Sequence, residues 1–213
     1  MHEDYFLFII EVLGTIAFAI SGIRLAAAKS FDWFGAYVVG FVTAIGGGTL
    51  RDLLLGVPVF WMQTWMYLAV TFLSLIAVII FRKVLVKGMR TLFIFDAIGL
   101  ALFVVVGIEK TFAAGYPGWV AIVMGIITGS FGGVIRDILI NEEPLFFRKD
   151  IYATACFAGG LVYWLVSLIP DVAPEVTQLA CAATVVGLRV AAVHYGWSLP
   201  ILKVDPKDLP DDR

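Results

Sequence analysis

Two short stretches hold the residues with the most chemistry to offer. GGGTLRDLLLG occupies residues 46–56, and a near copy, FGGVIRDILIN, occupies residues 131–141. Each places an adjacent Arg and Asp, Arg51–Asp52 and Arg136–Asp137, just after a pair of glycines and inside an apolar run. Two further acids, Glu11 and Asp96, interrupt other apolar runs. Covalent chemistry is not on offer. There is no Ser/His/Asp set and no metal-ligand spacing, and GGGTLRD lacks the Lys-Ser/Thr of a phosphate-binding loop. Arginine stays protonated and cannot serve as a base. What remains is electrostatic: pairing charges, and meeting ions with carboxylates, hydroxyls and carbonyls. An enzyme, a cofactor and a nucleic-acid partner are not expected.

The elements that must hold these residues follow from composition. The 213 residues are 61% hydrophobic, with a mean hydropathy of +0.97, against roughly 45–50% apolar in ordinary soluble domains. Lipid is the expected solvent. Apolar runs cover residues 6–26, 33–56, 64–81, 92–109, 118–141, 151–169 and 176–195. A membrane-crossing helix needs about 20 such residues, so seven transmembrane helices are expected. The acidic start MHEDY lacks the basic opening of a secretory signal, which makes the first run a retained span. Cys156 and Cys181 sit in apolar runs and read as small buried hydrophobes.

Seven spans alternate sides. One side collects Arg24, Lys29, Arg82, Lys83, Lys87, Arg90, Arg148, Lys149, Arg189, Lys203, Lys207 and Arg213, and the other only Lys110. The positive-inside rule places the first side in the cytoplasm, with the N-terminus outside.

A shift of 85 residues lays the first half on the second. Gly14, Phe18 and Gly22 meet Gly99, Phe103 and Gly107; Ala36, Gly40 and Thr43 meet Ala121, Gly125 and Thr128. Gly47, Gly48, Arg51 and Asp52 meet Gly132, Gly133, Arg136 and Asp137, and Glu11 meets Asp96. One inserted residue later, Pro58 and Phe60 meet Pro144 and Phe146. Three spans per unit force the second copy to enter the membrane upside down. The expected fold is an all-α membrane protein. It has two inverted three-helix repeats, residues 5–82 and 91–169, a seventh helix at 176–195 and a polar cytoplasmic tail at 200–213. Inverted repeats of this kind are common in transporters and channels, with the functional path at their interface.

Gly46, Gly47 and Gly48 on helix 2, with Gly129, Gly132 and Gly133 on helix 5, admit two readings. Glycine weakens a helix interior by about 0.5–1 kcal/mol relative to alanine, so a cluster invites a bend or break, tolerated only against protein or a wet cavity. Alternatively, Gly125, Gly129 and Gly133 at four-residue spacing suit a tight helix crossing. The favoured expectation is a break lining a path. Thr43, Thr128 and Ser130 are the hydroxyls nearest the glycines. They can replace part of an ion's hydration shell or bond back to their own helix.

Arg51 and Asp52 project about 100° apart on a regular helix and make a poor pair. Depth suggests Glu11–Arg51 and Asp96–Arg136 as the ion pairs, leaving Asp52 and Asp137 to cap backbone, bind partners or face water. The four acids would offset both arginines with two negative charges to spare, which favours a cation path.

The duplicated Gly-Gly-x-x-Arg-Asp, three spans per unit and a seventh helix resemble the prokaryotic branch of the TRIC family, the trimeric intracellular cation channels. The same domain is also called a glycine transporter. The resemblance covers residues 5 to about 195. It lacks the Lys-Glu-Val element associated with animal members, since Arg51–Asp52 stands in its place. It implies a homotrimer in the prokaryotic inner membrane with one pore per protomer. Helices 2 and 5, kinked at their glycines, would line that pore. It would pass monovalent cations, chiefly potassium, with sodium less selectively, and would hold no resident metal. The alternative is a secondary transporter of a small zwitterion such as glycine. Large apolar residues on helices 1 and 4 are candidates for the subunit interface. The basic stretch RKVLVKGMR either meets anionic lipid headgroups or serves as a topology signal.

The orientation is directly testable. A cysteine placed after residue 200 should react with a membrane-impermeant maleimide only in permeabilised cells. Labelling of intact cells would reverse the assignment.

Overall fold

The computed structural model describes residues 5–85 and 89–200. Among the described residues there are seven long helices: α1 Tyr5–Ala28, α2 Trp33–Leu55, α3 Met66–Ile80, α4 Met89–Ala113, α5 Gly118–Leu139, α6 Ala153–Ser167 and α7 Pro174–Tyr195. A 3-10 turn, Phe60–Met62, and a four-residue helix, Arg82–Leu85, lie in connections. Lys87 and the tail beyond Pro200, with Lys203, Lys207 and Arg213, lie outside the described residues.

Among the described residues, five helices are long and apolar enough to cross a membrane: α1, α2, α5, α7 and the Thr91–Ala113 part of α4. Helices α3 and α6 have only 15 residues each, about 22 Å at 1.5 Å per residue, against a hydrocarbon core of ~30 Å. The apolar runs at 64–81 and 151–169 suggested fuller spans. The difference arises because the chain leaving α2 turns back into the bundle before α3 begins. Phe60 packs on Gly48, seven residues short of the α2 terminus, and Tyr152 does the same on Gly133 before α6. Of the connection at residues 56–65, Phe60 is buried while most of the rest is exposed.

The ends of α2 and α5 show why the chain can reverse there. Gly56 (φ 69°) and Asn141 (φ 55°), 85 residues apart, both adopt the left-handed conformation that ends helices and is easiest for Gly and Asn. Val57 N–H then donates to the Asp52 carbonyl at 3.0 Å, and Glu142 N–H to the Asp137 carbonyl at 2.8 Å. At its start α2 is capped by Asp32, whose carboxylate accepts from Gly35 N–H at 2.6 Å. Lys29, beyond α1, reaches Glu142 at 2.5 Å; its hydrogen bond and charge hold that carboxyl below the usual range.

The core sits where α2 crosses α5 and α1 crosses α4. Both α2 and α5 run as uninterrupted helices through their glycines, so the expected break is corrected to close packing. A Cβ on Gly47 would overlap the Thr128 carbonyl, and one on Gly132 the Thr43 carbonyl. The two contacts exchange under the 85-residue shift. Since Gly47 faces Thr128 and Thr43 faces Gly132, the helices pass antiparallel. The same reciprocity holds for Gly22 against Thr43 and Gly107 against Thr128, and for Gly40 against Ile23 and Gly125 against Ile108. Phe18 of α1 and Phe103 of α4 pack with ring centroids 5.3 Å apart. Large apolar residues of α1 and α4 such as Phe18, Ile23, Leu100, Val104 and Ile108 are therefore buried within the protomer. Phe8, Ile9, Leu13, Ile94 and Ile98 remain exposed.

Packing and bending make opposite demands on these glycines. Gly47→Ala and Gly132→Ala should each destabilise the purified protein by about 1–3 kcal/mol through overpacking, seen as a fall in Tm. Gly187→Ala on α7, where a Cβ meets nothing within 4 Å, should be neutral or stabilising by about 0.5–1 kcal/mol.

Candidate functional site

Each Gly-Gly-x-x-Arg-Asp motif builds a buried charge cluster just past the crossing. In the first, Arg51 Nε donates to Asp52 Oδ1 at 2.8 Å. The second Asp52 oxygen accepts from Phe60 N–H at 2.9 Å. In the second, Arg136 Nε donates to Asp137 Oδ1 at 2.8 Å, and Asp137 Oδ2 accepts from Leu145 N–H at 3.1 Å. The adjacent Arg–Asp pairs, judged poor from helix geometry, thus form in both copies. The arginine side chain is long enough to wrap around the helix to its neighbour. Asp52 and Asp137 cap backbone with their remaining oxygen. The capped residue is eight positions on in both copies, so Phe60 corresponds here to Leu145 rather than Phe146.

The outer partners differ between copies. Arg136 Nη1 donates to Asp96 Oδ1 at 2.6 Å and to Ser21 Oγ at 2.8 Å, so the Asp96–Arg136 pair is present. The matching Glu11–Arg51 pair does not form. Glu11 binds Lys110 of α4 instead, at 2.6 Å. Both cations lie close to the Phe60 ring, Arg51 Cζ at 5.6 Å and Lys110 Nζ at 5.1 Å from its centroid. Arg51 Nη2, 2.7 Å from Asp52 Oδ1, is angled too poorly to count as a hydrogen bond.

Several participants escaped the sequence reading. Tyr67 lies beside Glu11, Arg51 and Asp52, and Tyr152 beside Asp96, Arg136 and Arg189. Their numbers also differ by 85, a signal that was there to be found. Arg189 of α7 is 4% exposed and lies 3.7 Å from Asp96 Oδ2. It stacks over Phe93 and Tyr152 at 5.2 and 4.8 Å. It is therefore a core residue rather than a surface topology charge. Arg24 is likewise buried and donates to the Leu85 carbonyl at 2.6 Å.

These partners change the charge balance. Glu11 and Asp52 are matched by Arg51 and Lys110; Asp96 and Asp137 are matched by Arg136 and Arg189. The two spare negative charges inferred from the motif acids are cancelled, and each cluster is formally neutral.

Between the clusters lie the hydroxyls. Thr43, Thr128 and Ser130 are buried and donate at 2.6 Å to the Val39, Met124 and Ile126 carbonyls of their own helices. This is the back-bonding alternative. It uses each hydroxyl's proton and leaves its oxygen lone pairs. The remaining glycines are also contact points: Gly46 meets Ile135, Gly48 meets Phe60, Gly129 meets Val104 and Gly133 meets Tyr152. In the second cluster, Asp96 Oδ2, Tyr152 Oη and Arg189 Nε are buried without a hydrogen-bond partner.

Comparison with known proteins gives a consistent result. The family model described as Glycine transporter matches the chain twice, over residues 8–83 and 93–167. The UPF0126 inner membrane protein YadS of Escherichia coli K12 is 38% identical over 198 residues, 92% of this chain and 96% of that protein. The UPF0126 membrane protein YvgT of Bacillus subtilis is also 38% identical over 198 residues, 90% of this chain and 94% of its own length. Among solved structures, the TRIC trimeric intracellular cation channel orthologue from Rhodobacter sphaeroides is 32% identical. It matches with a TM-score of 0.85 over 91% of this chain and 100% of that one. A TRIC cation channel solved to explain conductance is 34% identical, with a TM-score of 0.82 over 96% of this chain and 99% of that one. This integral membrane protein, built as a doubled three-helix unit with a seventh helix, therefore belongs to the prokaryotic TRIC family, whose domain also goes by the description Glycine transporter.

Proposed function

We propose that the protein is a homotrimeric monovalent cation channel of the prokaryotic inner membrane, with its N-terminus outside and its C-terminus in the cytoplasm. Each protomer would hold one pore along the seam between α2 and α5, passing chiefly potassium and, less selectively, sodium. The observation that carries this reading is the pair of charge-balanced clusters flanking the seam. Arginines beside a cation path repel cations unless they are neutralised, and here each is matched. The relatives described as trimeric cation channels support the same reading.

On this proposal the described conformation is closed at the glycine crossing. Parting α2 from α5 would uncover the Thr43 and Thr128 carbonyls, which face the opposite glycines. The Thr43 and Thr128 hydroxyls lie instead against Gly22 of α1 and Gly107 of α4, on the flanks of that seam. The two carbonyl oxygens present lone pairs, the polarity that a dehydrating cation needs. The unpartnered polar atoms of the second cluster are natural contacts for water on such a path. A carrier for a small zwitterion would need a cation and an acid free to meet its two charged ends. The clusters are internally paired, and α2 and α5 run unbroken through their glycines, so neither offers a helix N-terminus there for a carboxylate.

Purified protein in a planar bilayer under asymmetric potassium chloride should give discrete steps reversing near the potassium equilibrium potential. Silence from folded protein would overturn the channel, and glycine uptake into proteoliposomes would be the next measurement. Charge balance makes a sharper demand. Asp96→Asn should cost on the order of 3–5 kcal/mol in stability by stranding buried arginine charge, and should shift the reversal potential toward chloride. Adding Arg189→Gln restores neutrality and should bring cation preference back. A double variant no more cation-selective than Asp96→Asn would refute the electrostatic role.

A further inference from the structure

The outer face of the protomer carries a groove between α2 and α3 that the proposed pore does not use. It consists of two contiguous cavities that share Trp33 and Leu75. One, of about 590 Å³, is lined almost wholly by apolar side chains, including Leu68 and Phe72. The other, of about 890 Å³, continues along α3 to Arg82 and Lys83. The groove is thus apolar along its length and basic at one end.

Those two cations, like the exposed Lys149, lie outside the ion pairs found among the described residues. Lys29, Arg51, Lys110, Arg136, Arg148 and Arg189 each lie within ion-pair distance of a carboxylate. Among the described residues, Arg82 and Lys83 have no acidic partner, and both are exposed. A second copy of the chain seated on this face would have to desolvate two like charges without compensation, which is costly. A lipid with a negative headgroup matches both halves of the groove. From Arg82 to Phe72 the chain rises about 15 Å at the helical spacing, half of the ~30 Å hydrocarbon core. That is the depth an acyl chain occupies below its phosphate in one leaflet.

We infer that the groove holds one anionic phospholipid per protomer, its phosphate on Arg82 and Lys83 and an acyl chain between α2 and α3. The site stands whether or not the protein conducts ions. Net negative charge is the selective feature, since a zwitterionic headgroup brings its own ammonium to the same two cations.

Native mass spectrometry of the full-length protein in detergent tests this with dioleoyl phosphatidylglycerol and dioleoyl phosphatidylcholine. Phosphatidylglycerol should be retained at one molecule per chain, at least about tenfold more tightly than phosphatidylcholine. Arg82→Gln with Lys83→Gln should remove that preference. Ala69→Phe, which fills the apolar part, should weaken both lipids. Equal retention by the unaltered protein, or a preference that survives loss of both cations, overturns the site. A second measurement guards against misfolded variants. Brominated phosphatidylglycerol should quench Trp33 emission, taken as the difference between the unaltered protein and Trp33→Phe, more than brominated phosphatidylcholine does. Equal quenching overturns the proposal. So does a disulfide between neighbouring copies of Phe72→Cys formed without bound lipid, which would make the face a contact between protomers.

Discussion

Backbone meets backbone where Gly47 faces the Thr128 carbonyl and Gly132 faces the Thr43 carbonyl, and the other features of the site are placed by that contact. Any side chain at either position would push α2 and α5 apart. With the helices this close and antiparallel, residues at equal sequence distance from the crossing lie at equal and opposite depths. Arg51 and Arg136 each fall roughly six residues past its midpoint, about 9 Å along the axis. Both therefore remain within the ~30 Å apolar slab while lying on opposite sides of its middle.

That placement obliges each arginine to find an acid, and the motif supplies one at the next position. Asp52 and Asp137 do two things at once. One oxygen closes the guanidinium, and the other accepts the N–H eight residues on, which holds the returning chain against the bundle. The short α3 and α6 follow from this, since the chain has already re-entered before either begins. A buried ion pair is weak evidence for stability in itself, because desolvation offsets much of the attraction. Its structural value here lies in joining a helix to its own connection. Its electrostatic value lies in leaving the region near the seam uncharged overall.

The sequence carried what depends on residue type at fixed spacing. The 85-residue shift was legible because backbone contact requires glycine, and the left-handed helix end favours Gly56 or Asn141. The Asp96–Arg136 pair was legible from depth alone. Glu11–Arg51 was not, because depth does not say which helix lies alongside: α4 brings Lys110 to Glu11, and its counterpart 85 residues earlier is the apolar Leu25. Arg189 comes from α7, outside the repeat, and no internal symmetry could point to it. Whether the glycines bend a helix or seat a neighbour was undecidable from composition, since both uses need the same missing Cβ. The lengths of α3 and α6 were hidden because residues just outside them, Trp65 and Phe81, Ile151 and Leu168, are as apolar as the helices.

The two clusters share a plan but not a surrounding, and this bears on how their charges can move. Lys110 is 29% exposed where it meets Glu11, whose side chain is 7% exposed, so water reaches the cation while the acid stays buried. Asp96 and Arg136 are 1–2% exposed, and pulling them apart into a low-dielectric interior would be prohibitive. Separation is not the sole route, however. Asp96 has its second oxygen 3.7 Å from Arg189, and Arg136 holds Asp137 as well as Asp96. A small displacement of α7 or α5 can pass Asp96 from one guanidinium to the other while Arg136 stays with Asp137. No charge is left bare at any stage. One cluster thus has a partly hydrated cation, and the other can rearrange by exchange of partners. A bundle that must keep its arginines neutral can therefore still change shape.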